Sequence, residues 1–149
     1  NNLGEFNIQQ NDYVPHQSDK EITFSISKYP LSDNVQVTRH KISSRNFYDG
    51  ERNRIKKITN ADEVVFFNKK NHICEGSFTS IFIKKNGVLI TPPLSCGLLP
   101  GVLRAKLLEK KQVIEETLTI NDIIEADEVF LGNSLRGLMK AKLLHVSPL

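Results

Sequence analysis

Short apolar runs, each closed by turn-forming residues, recur along this chain and constrain its fold more than any other feature. Alternation of apolar and polar residues over Ile22–Ile26 is typical of a half-buried strand, and the continuous run Glu63–Phe67 is typical of a fully buried one. Residues 79–83 and 88–90 flank Asn86-Gly87, a dipeptide that favours a tight hairpin turn. The pattern therefore predicts a core built largely from short strands.

Helical patterns interleave irregularly with the strands. The spacing of apolar residues predicts helices over residues 46–58, 102–110 and 120–126, and further strands over residues 35–37, 113–118 and 128–131. Thr119 and Asp122 have the spacing of a capping box that would start the last helix. Because hairpins and crossovers occur together, we expect a mixed α/β domain and not a simple parallel sheet.

The length of 149 residues suits one domain. No repeat or linker divides residues 21–149, whereas the polar residues 1–20 are predicted to be an N-terminal extension or an interdomain segment. Because the chain does not begin with Met, we expect it to be a piece of a longer polypeptide.

Composition and charge exclude several classes of protein. No apolar stretch approaches the roughly 18 residues of a membrane span, and the N-terminus lacks a signal-peptide pattern. We therefore expect a cytoplasmic protein with no membrane partner. Cys74 and Cys96 lack the spacing of zinc ligands or of a disulfide framework, so we expect reduced thiols and no metal.

One basic stretch raises the question of a nucleic-acid partner. Residues 39–57 contain seven Lys or Arg against two acids, a balance that would attract phosphates. Only Phe47 and Tyr48 are aromatic there, and the stretch matches no known nucleic-acid-binding module. The net charge of the chain is only +3. A solvated helix face explains the basic stretch at least as well, so we expect no nucleic acid.

Two side chains stand out as chemically reactive. Lys41 follows a strand pattern in a basic stretch that includes Arg39 and Arg45, and neighbouring cations that disfavour its charged form would make its amine nucleophilic. The alternative interpretation is a solvated surface lysine, the commoner environment for this residue. Glu75, which precedes Gly76, could lie under the sheet surface, or it could be an exposed glutamate in a hairpin turn.

Two glycine-containing segments could bind phosphate. Gly101 precedes a predicted helix, and unpaired N–H groups at a helix start attract anions. A second segment, residues 132–137, follows a predicted strand. Both could instead be ordinary loops, because neither matches a Walker A or GxGxxG fingerprint.

Taken in order, a series of sequence blocks resembles the class IV aminotransferases, which are fold-type IV pyridoxal-phosphate enzymes. The blocks are Arg39-His40-Lys41, Ala61-Asp62-Glu63-Val64, Glu75-Gly76-Ser77, Thr91-Pro92-Pro93, the segment Gly97-Leu98-Leu99-Pro100-Gly101-Val102-Leu103-Arg104, and Ala126-Asp127-Glu128-Val129-Phe130. The resemblance runs from about Glu21 to Met139. It implies that residues 21–149 form the larger, C-terminal, cofactor-binding domain of this family. That domain has the D-amino-acid aminotransferase-like fold, with a curved, barrel-like mixed sheet and flanking helices.

The resemblance implies a role for each matching residue around pyridoxal 5'-phosphate. Lys41 matches the lysine that bonds covalently to the cofactor aldehyde and moves the proton at the substrate Cα. Glu75 matches the acid that faces the pyridine nitrogen and keeps it protonated. Leu99 matches an apolar side chain that packs against the ring.

Other matching residues would hold the phosphate and the substrate. Val102 and Leu103 match residues whose backbone N–H groups bind the phosphate, and Ser134 matches a hydroxyl contact to it. Leu135 lies where relatives offer a backbone N–H to a substrate carboxylate. Because Leu103 replaces a hydroxyl residue common in the transaminases, its hydrogen bond would come from the backbone alone.

Within the family, the resemblance favours the lyase branch. Residues 46–52 and 132–137 look most like 4-amino-4-deoxychorismate lyase, especially domains fused to aminodeoxychorismate synthase, and Asn46 stands where branched-chain transaminases carry a ring-contacting Tyr. The implied reaction releases pyruvate and gives 4-aminobenzoate for folate biosynthesis. A branched-chain or D-amino-acid aminotransferase and a truncated, non-catalytic module remain as alternatives.

The resemblance also implies partners. The family's smaller N-terminal domain, which supplies a phosphate-binding arginine and part of the substrate pocket, is absent from these 149 residues. We therefore expect either that domain or a fused aminodeoxychorismate synthase domain beside this one. Since relatives are homodimers, we expect a homodimer that acts on a small-molecule substrate.

Overall fold

A single sheet organises the molecule. The computed structural model describes residues 21–31 and 45–146. The strands are β1 (Ile22–Ile26), β2 (Glu63–Phe67), β3 (Ile73–Gly76), β4 (Ser80–Lys85), β5 (Val88–Thr91), β6 (Ile114–Glu115), β7 (Glu128–Asn133) and β8 (Gly137–Val146). The helices are α1 (Asn46–Thr59), α2 (Val102–Glu109) and α3 (Ile120–Ile124), and Leu94–Cys96 forms a 3₁₀ turn. The strand predicted at residues 35–37 lies outside the described residues.

The eight strands are ordered β3-β2-β1-β8-β7-β4-β5-β6. β1 runs parallel to both β2 and β8, and β5 runs parallel to β6, whereas the other neighbouring pairs are antiparallel. The sheet curls into a half-barrel with few helices, which confirms the expected mixed α/β fold. In the part of the chain that the structure describes, no helix is both long and apolar enough to cross a membrane.

Local sequence signals correctly predicted the hairpin and the cap of α3. Asn86 and Gly87 have φ angles of 51° and 80° and join β4 to β5, as the Asn-Gly turn requires. The Thr119 side chain accepts a hydrogen bond from the Asp122 backbone N–H, and the Asp122 carboxylate accepts one from the Thr119 N–H, so the capping box is formed. α1 ends at Thr59, and the next residue, Asn60, caps it with a left-handed φ of 59°, a cap that was not predicted.

Two strands were not predicted, and a third is shorter than expected. β8 alternates buried Met139 and Ala141 with exposed Lys140, but its lysines make the apolar pattern weak. β3 has four residues and includes a buried glutamate, so its sequence resembles a turn. β6 comprises Ile114–Glu115 alone, both exposed at the sheet edge, and not the predicted residues 113–118.

Apolar residues pack on both faces of the sheet. In β2, Val65 and Phe67 belong to the main core, whereas Val64 and Phe66 belong to a second cluster, as the alternation of a strand requires. Ile55 of α1 joins this second cluster. α1 therefore covers the face of β2 that carries Val64 and Phe66. Cys74 of β3 and residues 96 and 98, at and after the 3₁₀ turn, belong to the same cluster.

Candidate active site

A cavity of about 270 Å³ opens where β3, the start of α2 and the end of β7 meet. Its lining residues come from four places in the chain: Arg45; Glu75, Gly76, Ser77, Phe78, Thr79 and Ser80; Leu99, Pro100, Gly101, Val102 and Leu103; Asn133 and Ser134. A cavity whose walls come from such distant segments exists only in the folded chain.

Glu75 is the buried acid of this cavity, with 4% of its surface exposed. Its Oε1 accepts a hydrogen bond of 3.0 Å from the Tyr48 hydroxyl, and its Oε2 accepts one of 3.0 Å from the Leu99 backbone N–H. Burial raises the pKa of Glu75 to about 7, although these hydrogen bonds and Arg45 lower it. The carboxyl can therefore hold or release a proton near neutral pH, and the interpretation as an exposed turn glutamate is wrong.

Tyr48, a residue of α1, donates the hydroxyl hydrogen bond that orients the Glu75 carboxylate. Burial, followed by the charge of Glu75, raises the pKa of the Tyr48 hydroxyl above its ordinary value, so it remains a donor. Its ring lies 5.0 Å from the ring of Phe66, and the Arg45 guanidinium lies 5.2 Å from the Tyr48 ring centroid. The sequence does not mark Tyr48 as a site residue, because nothing local indicates a contact with Glu75, 27 positions away.

The first turn of α2 presents backbone N–H groups beside the cavity. The Ala105 N–H donates to the Gly101 carbonyl at 2.9 Å, so the N–H groups of the preceding helical residues have no acceptor within the helix. Two of those residues, Val102 and Leu103, line the cavity. Free N–H groups and the positive end of the helix dipole favour a phosphate there.

Glycines let α2 approach the sheet. A Cβ on Gly101 would lie 2.9 Å from the Ser80 Oγ. A Cβ on Gly132 would lie 2.6 Å from the Gly137 carbonyl oxygen and 2.7 Å from the Leu103 Cδ2. Side chains at these positions would push the start of α2 away from β7 and open the cavity.

Asn133 ties the end of β7 to the opposite wall. Its Nδ2 donates to the Phe78 carbonyl at 3.2 Å, and its Oδ1 accepts from the N–H groups of Leu135 and Arg136 at 3.1 and 2.9 Å. Ser134, the next residue, lines the cavity. Leu135 is 64% exposed and is not among the lining residues, so its assignment to a substrate carboxylate stays a prediction.

The structure brings together most of the site residues suggested by the sequence. Glu75, Leu99, Val102, Leu103 and Ser134 line one cavity, with Arg45 and Asn133 as additions from the structure. Lys41 lies outside the described residues, so its predicted role is not tested. Among residues 21–31 and 45–146, no group of three or more His, Cys, Asp or Glu side chains could hold a metal ion.

The chemistry of the lining fits a flat, phosphorylated heterocycle. The Glu75 carboxyl suits a basic ring nitrogen, the N–H groups at the start of α2 suit a phosphate, and Leu99 offers an apolar surface. This donor set matches pyridoxal phosphate, the cofactor that the resemblance implies.

Known proteins with similar sequences belong to the family that the site residues suggest. The family model "Amino-transferase class IV" matches residues 6–144. A "Putative branched-chain-amino-acid aminotransferase" of Methanocaldococcus jannaschii is 34% identical over 118 residues, which are 75% of this chain and 40% of that protein.

Solved structures extend the comparison. A "Putative amino-acid aminotransferase" from Mesorhizobium loti aligns with a TM-score of 0.82 and 41% identity, over 89% of this chain and 64% of that one. A "Putative 4-amino-4-deoxychorismate lyase" from Legionella pneumophila aligns with a TM-score of 0.83 and 26% identity, over 93% of this chain and 52% of that one.

The chain thus spans from 40% to 64% of the length of these three relatives. The family includes both lyases and aminotransferases, and its cofactor is pyridoxal 5'-phosphate. Since the family model covers most of the sequence and the cavity has the matching donor groups, the chain belongs to the class IV aminotransferases.

Proposed function

We propose that this protein is the cofactor-binding part of a 4-amino-4-deoxychorismate lyase, which eliminates pyruvate and leaves 4-aminobenzoate. The observation that carries the proposal is a single cavity lined by both the buried acid Glu75 and the first turn of α2. The likeness to the Legionella protein and the Asn at position 46 support the lyase branch.

The chain's own groups would hold pyridoxal phosphate by its two ends and one face. The backbone N–H groups of Val102 and Leu103, with the Ser134 hydroxyl, bind the phosphate. Glu75 lies near the ring nitrogen, where its negative charge favours a protonated ring. Leu99 packs against the ring and excludes water from that face.

Pyridoxal phosphate, once bound, supplies an electron sink for the pair released when a substrate C–H bond breaks. The Lys41 amine accepts the proton from the substrate Cα, as a general base. In the proposed reaction the ring C–O bond of the substrate would break, the enolpyruvyl group would leave as pyruvate after taking up a proton such as the one Lys41 has accepted, and the six-membered ring would become aromatic. Glu75 would keep its negative charge near the ring nitrogen during these steps.

The proposed organisation follows the same resemblance. Residues 21–149 are the cofactor-binding domain, and residues 1–20 lead into it. A smaller N-terminal domain, or a fused aminodeoxychorismate synthase domain, completes the substrate pocket, and two copies form a dimer. The pathway is folate biosynthesis.

An aminotransferase is the second candidate, and the 34% identity to the Methanocaldococcus protein favours it. The same lysine, acid and phosphate groups would serve it. The difference is a second substrate: a transaminase passes the amino group to a keto acid, whereas the lyase needs no acceptor and releases pyruvate.

Cofactor binding is tested by absorbance on the chain itself. Added pyridoxal phosphate should give the visible band of a lysine-linked cofactor, and Lys41→Ala should abolish it. Lys57→Ala, at an exposed position on α1, is the matched control and should keep the band. A band that survives Lys41→Ala would reject Lys41 as the attachment site, and no band with the unmodified chain would favour the non-catalytic module.

Turnover is tested in the complete polypeptide that carries this chain. With aminodeoxychorismate and no keto acid, pyruvate and 4-aminobenzoate should form in equal amounts. Transfer of an amino group from a branched-chain or D-amino acid to 2-oxoglutarate, without pyruvate release from aminodeoxychorismate, would replace the lyase with the aminotransferase.

A further inference from the structure

A second buried acid lies behind the wall of the cavity. Glu63, the first residue of β2, is 0% exposed, although it is not among the residues that line the cavity. A buried charged side chain is costly unless hydrogen bonds satisfy it. Its partners therefore indicate why the fold retains it.

Glu63 accepts five hydrogen bonds, and four of them come from one short segment. Its Oε1 accepts from the Val64 N–H at 2.9 Å, from the Ser77 N–H at 3.0 Å and from the Ser77 hydroxyl. Its Oε2 accepts from the Phe78 N–H at 3.2 Å and from the Thr79 hydroxyl at 3.0 Å. The carboxylate thus binds three consecutive residues, 77–79, in the turn between β3 and β4.

The donors favour the ionised form of this acid. Backbone N–H groups of Val64, Ser77 and Phe78 can only donate, so they match an oxygen that accepts. Burial is the largest effect and leaves the pKa of Glu63 above its ordinary value, although the hydrogen bonds from Ser77, Val64, Phe78 and Thr79 lower it. Because five donors converge on two oxygens, we take the carboxylate as charged.

The segment that Glu63 gathers is a wall of the cavity. Gly76, Ser77, Phe78 and Thr79 all line it, directly after Glu75. The packing is tight, since a Cβ on Gly76 would lie 2.2 Å from the Thr79 Oγ1 and 2.8 Å from the Glu63 Oε2. Movement of Glu63 would therefore displace the wall.

We propose that Glu63 is a positioning residue of this site: its buried carboxylate fixes the Gly76–Thr79 wall, and thereby the acid beside it, for a ligand that Glu63 does not touch. The inference rests on the proposed function for the identity of that ligand. The holding of the wall itself is independent of any cofactor.

The first test replaces Glu63 by Gln. The Gln carbonyl can keep the three bonds at the Oε1 position, but its NH₂ group then faces the Phe78 N–H, so two donors oppose each other. We expect the dissociation constant for pyridoxal phosphate, measured by equilibrium dialysis, to rise about tenfold. An affinity equal to that of the unmodified protein would overturn the proposal.

Glu51→Gln is the matched control. Glu51 is also buried, at 5% exposed, and accepts hydrogen bonds from the Ser27 hydroxyl, the Lys28 N–H and Arg54, but it lies away from the cavity. We expect this variant to lose stability in urea while keeping the affinity for pyridoxal phosphate. Equal losses of affinity in both variants would mean that Glu63 acts through general stability, which would overturn the proposal.

Two readouts need no cofactor and so separate this proposal from the proposed function. The charge of Glu63 raises the pKa of Glu75, which also faces Tyr48 and Arg45. Glu63→Gln should therefore lower the Glu75 pKa below about 7 in a carboxyl NMR titration, whereas Glu63→Asp should retain the charge effect. If the pKa of Glu75 does not fall in Glu63→Gln, Glu63 is not charged in the folded protein, and the proposal is overturned.

Hydrogen exchange on the unmodified protein is the second of these readouts, and it serves even if a Glu63 variant fails to fold. The Phe78 amide should exchange at least about tenfold more slowly than the Leu135 amide, whose acceptor Asn133 Oδ1 is at an exposed turn. Equal, fast exchange of both amides would show that Glu63 does not fix the Gly76–Thr79 wall and would overturn the proposal. Failure of the protein to bind pyridoxal phosphate, with a protected Phe78 amide, would reject only the proposed function.

Discussion

At the scale of single residues, opposing effects set the proton affinity of the site's acid. Burial disfavours the charged carboxylate of Glu75, while the Tyr48 hydroxyl, the Leu99 N–H and the Arg45 guanidinium favour it. The balance leaves a pKa of about 7, where the group is sensitive to what binds beside it. A protonated ring nitrogen next to Glu75 would lower that pKa and keep the carboxylate charged.

Glu75 should make the stability of the ligand-free protein depend on pH. Its pKa is about 7 in the folded protein and about 4.5 in the unfolded chain, so the unfolded chain loses the proton first as pH rises. The free energy of unfolding should therefore fall by on the order of 3 kcal/mol between pH 4.5 and 7. Glu75→Gln should remove this slope in urea unfolding series.

Glu109→Gln, at an exposed position at the end of α2, is the control for that series and should follow the unmodified protein. If the curves for Glu75→Gln and the unmodified protein run parallel from pH 4.5 to 7, Glu75 does not carry a raised pKa.

At the scale of elements, the site depends on how closely α2 approaches β7 and the turn to β8. The Gly132 position has backbone on one side and the Leu103 side chain on the other, and both would lie within 3 Å of a methyl group placed on Gly132. The first turn of α2 reaches the cavity only because nothing larger than hydrogen stands there. The approach is therefore a property of the pair of elements and not of the helix alone.

Gly132→Ala should lower the free energy of unfolding by about 1–3 kcal/mol, because its Cβ would meet the Gly137 carbonyl oxygen at 2.6 Å. It should also weaken binding of pyridoxal phosphate. Gly50→Ala in α1 is the matched control: nothing lies within 4 Å of its Cβ, so the better helix propensity should stabilise by about 0.5–1 kcal/mol. Urea unfolding would contradict the close approach if Gly132→Ala were as stable as the unmodified protein.

At the scale of the whole molecule, β8 joins the two halves of the sheet. It pairs with β1 on one side and with β7 on the other, so among the described strands it is β8 that joins β3-β2-β1 to β7-β4-β5-β6. The acid Glu75 lies on the first side and the start of α2 contacts the second. The cavity therefore requires β8, although no lining residue belongs to that strand.

The same substitution should have very different effects on stability at two adjacent residues of β8. Met139 is 2% exposed and belongs to the main core, whereas Leu138 is 39% exposed on the other face. Met139→Lys should destabilise by about 3 kcal/mol or more, because it buries an unpaired charge, and Leu138→Lys should change stability by about 0.5 kcal/mol or less. Thermal unfolding of both variants tests the register, and equal melting temperatures would contradict it.

Where a signal is contained in a few neighbouring residues, the sequence predicted the structure well. The β4–β5 hairpin follows from Asn86-Gly87, and the start of α3 follows from Thr119 and Asp122. β3 and β8 were missed because a buried glutamate and interspersed lysines resemble a turn and a surface segment until their partners are known. The family resemblance named five residues that do line one cavity.

The sequence by itself determined most of the short strands, the hairpin turn and the capped start of α3, because each depends on backbone preferences over a few residues. Only the tertiary structure decided that Tyr48 would hold Glu75 across 27 positions and that β8 would lie at the centre of the sheet. The same is true of Glu63, which gathers a loop 14 to 16 residues away. Such contacts form only when burial brings distant segments together, and no local pattern encodes their geometry.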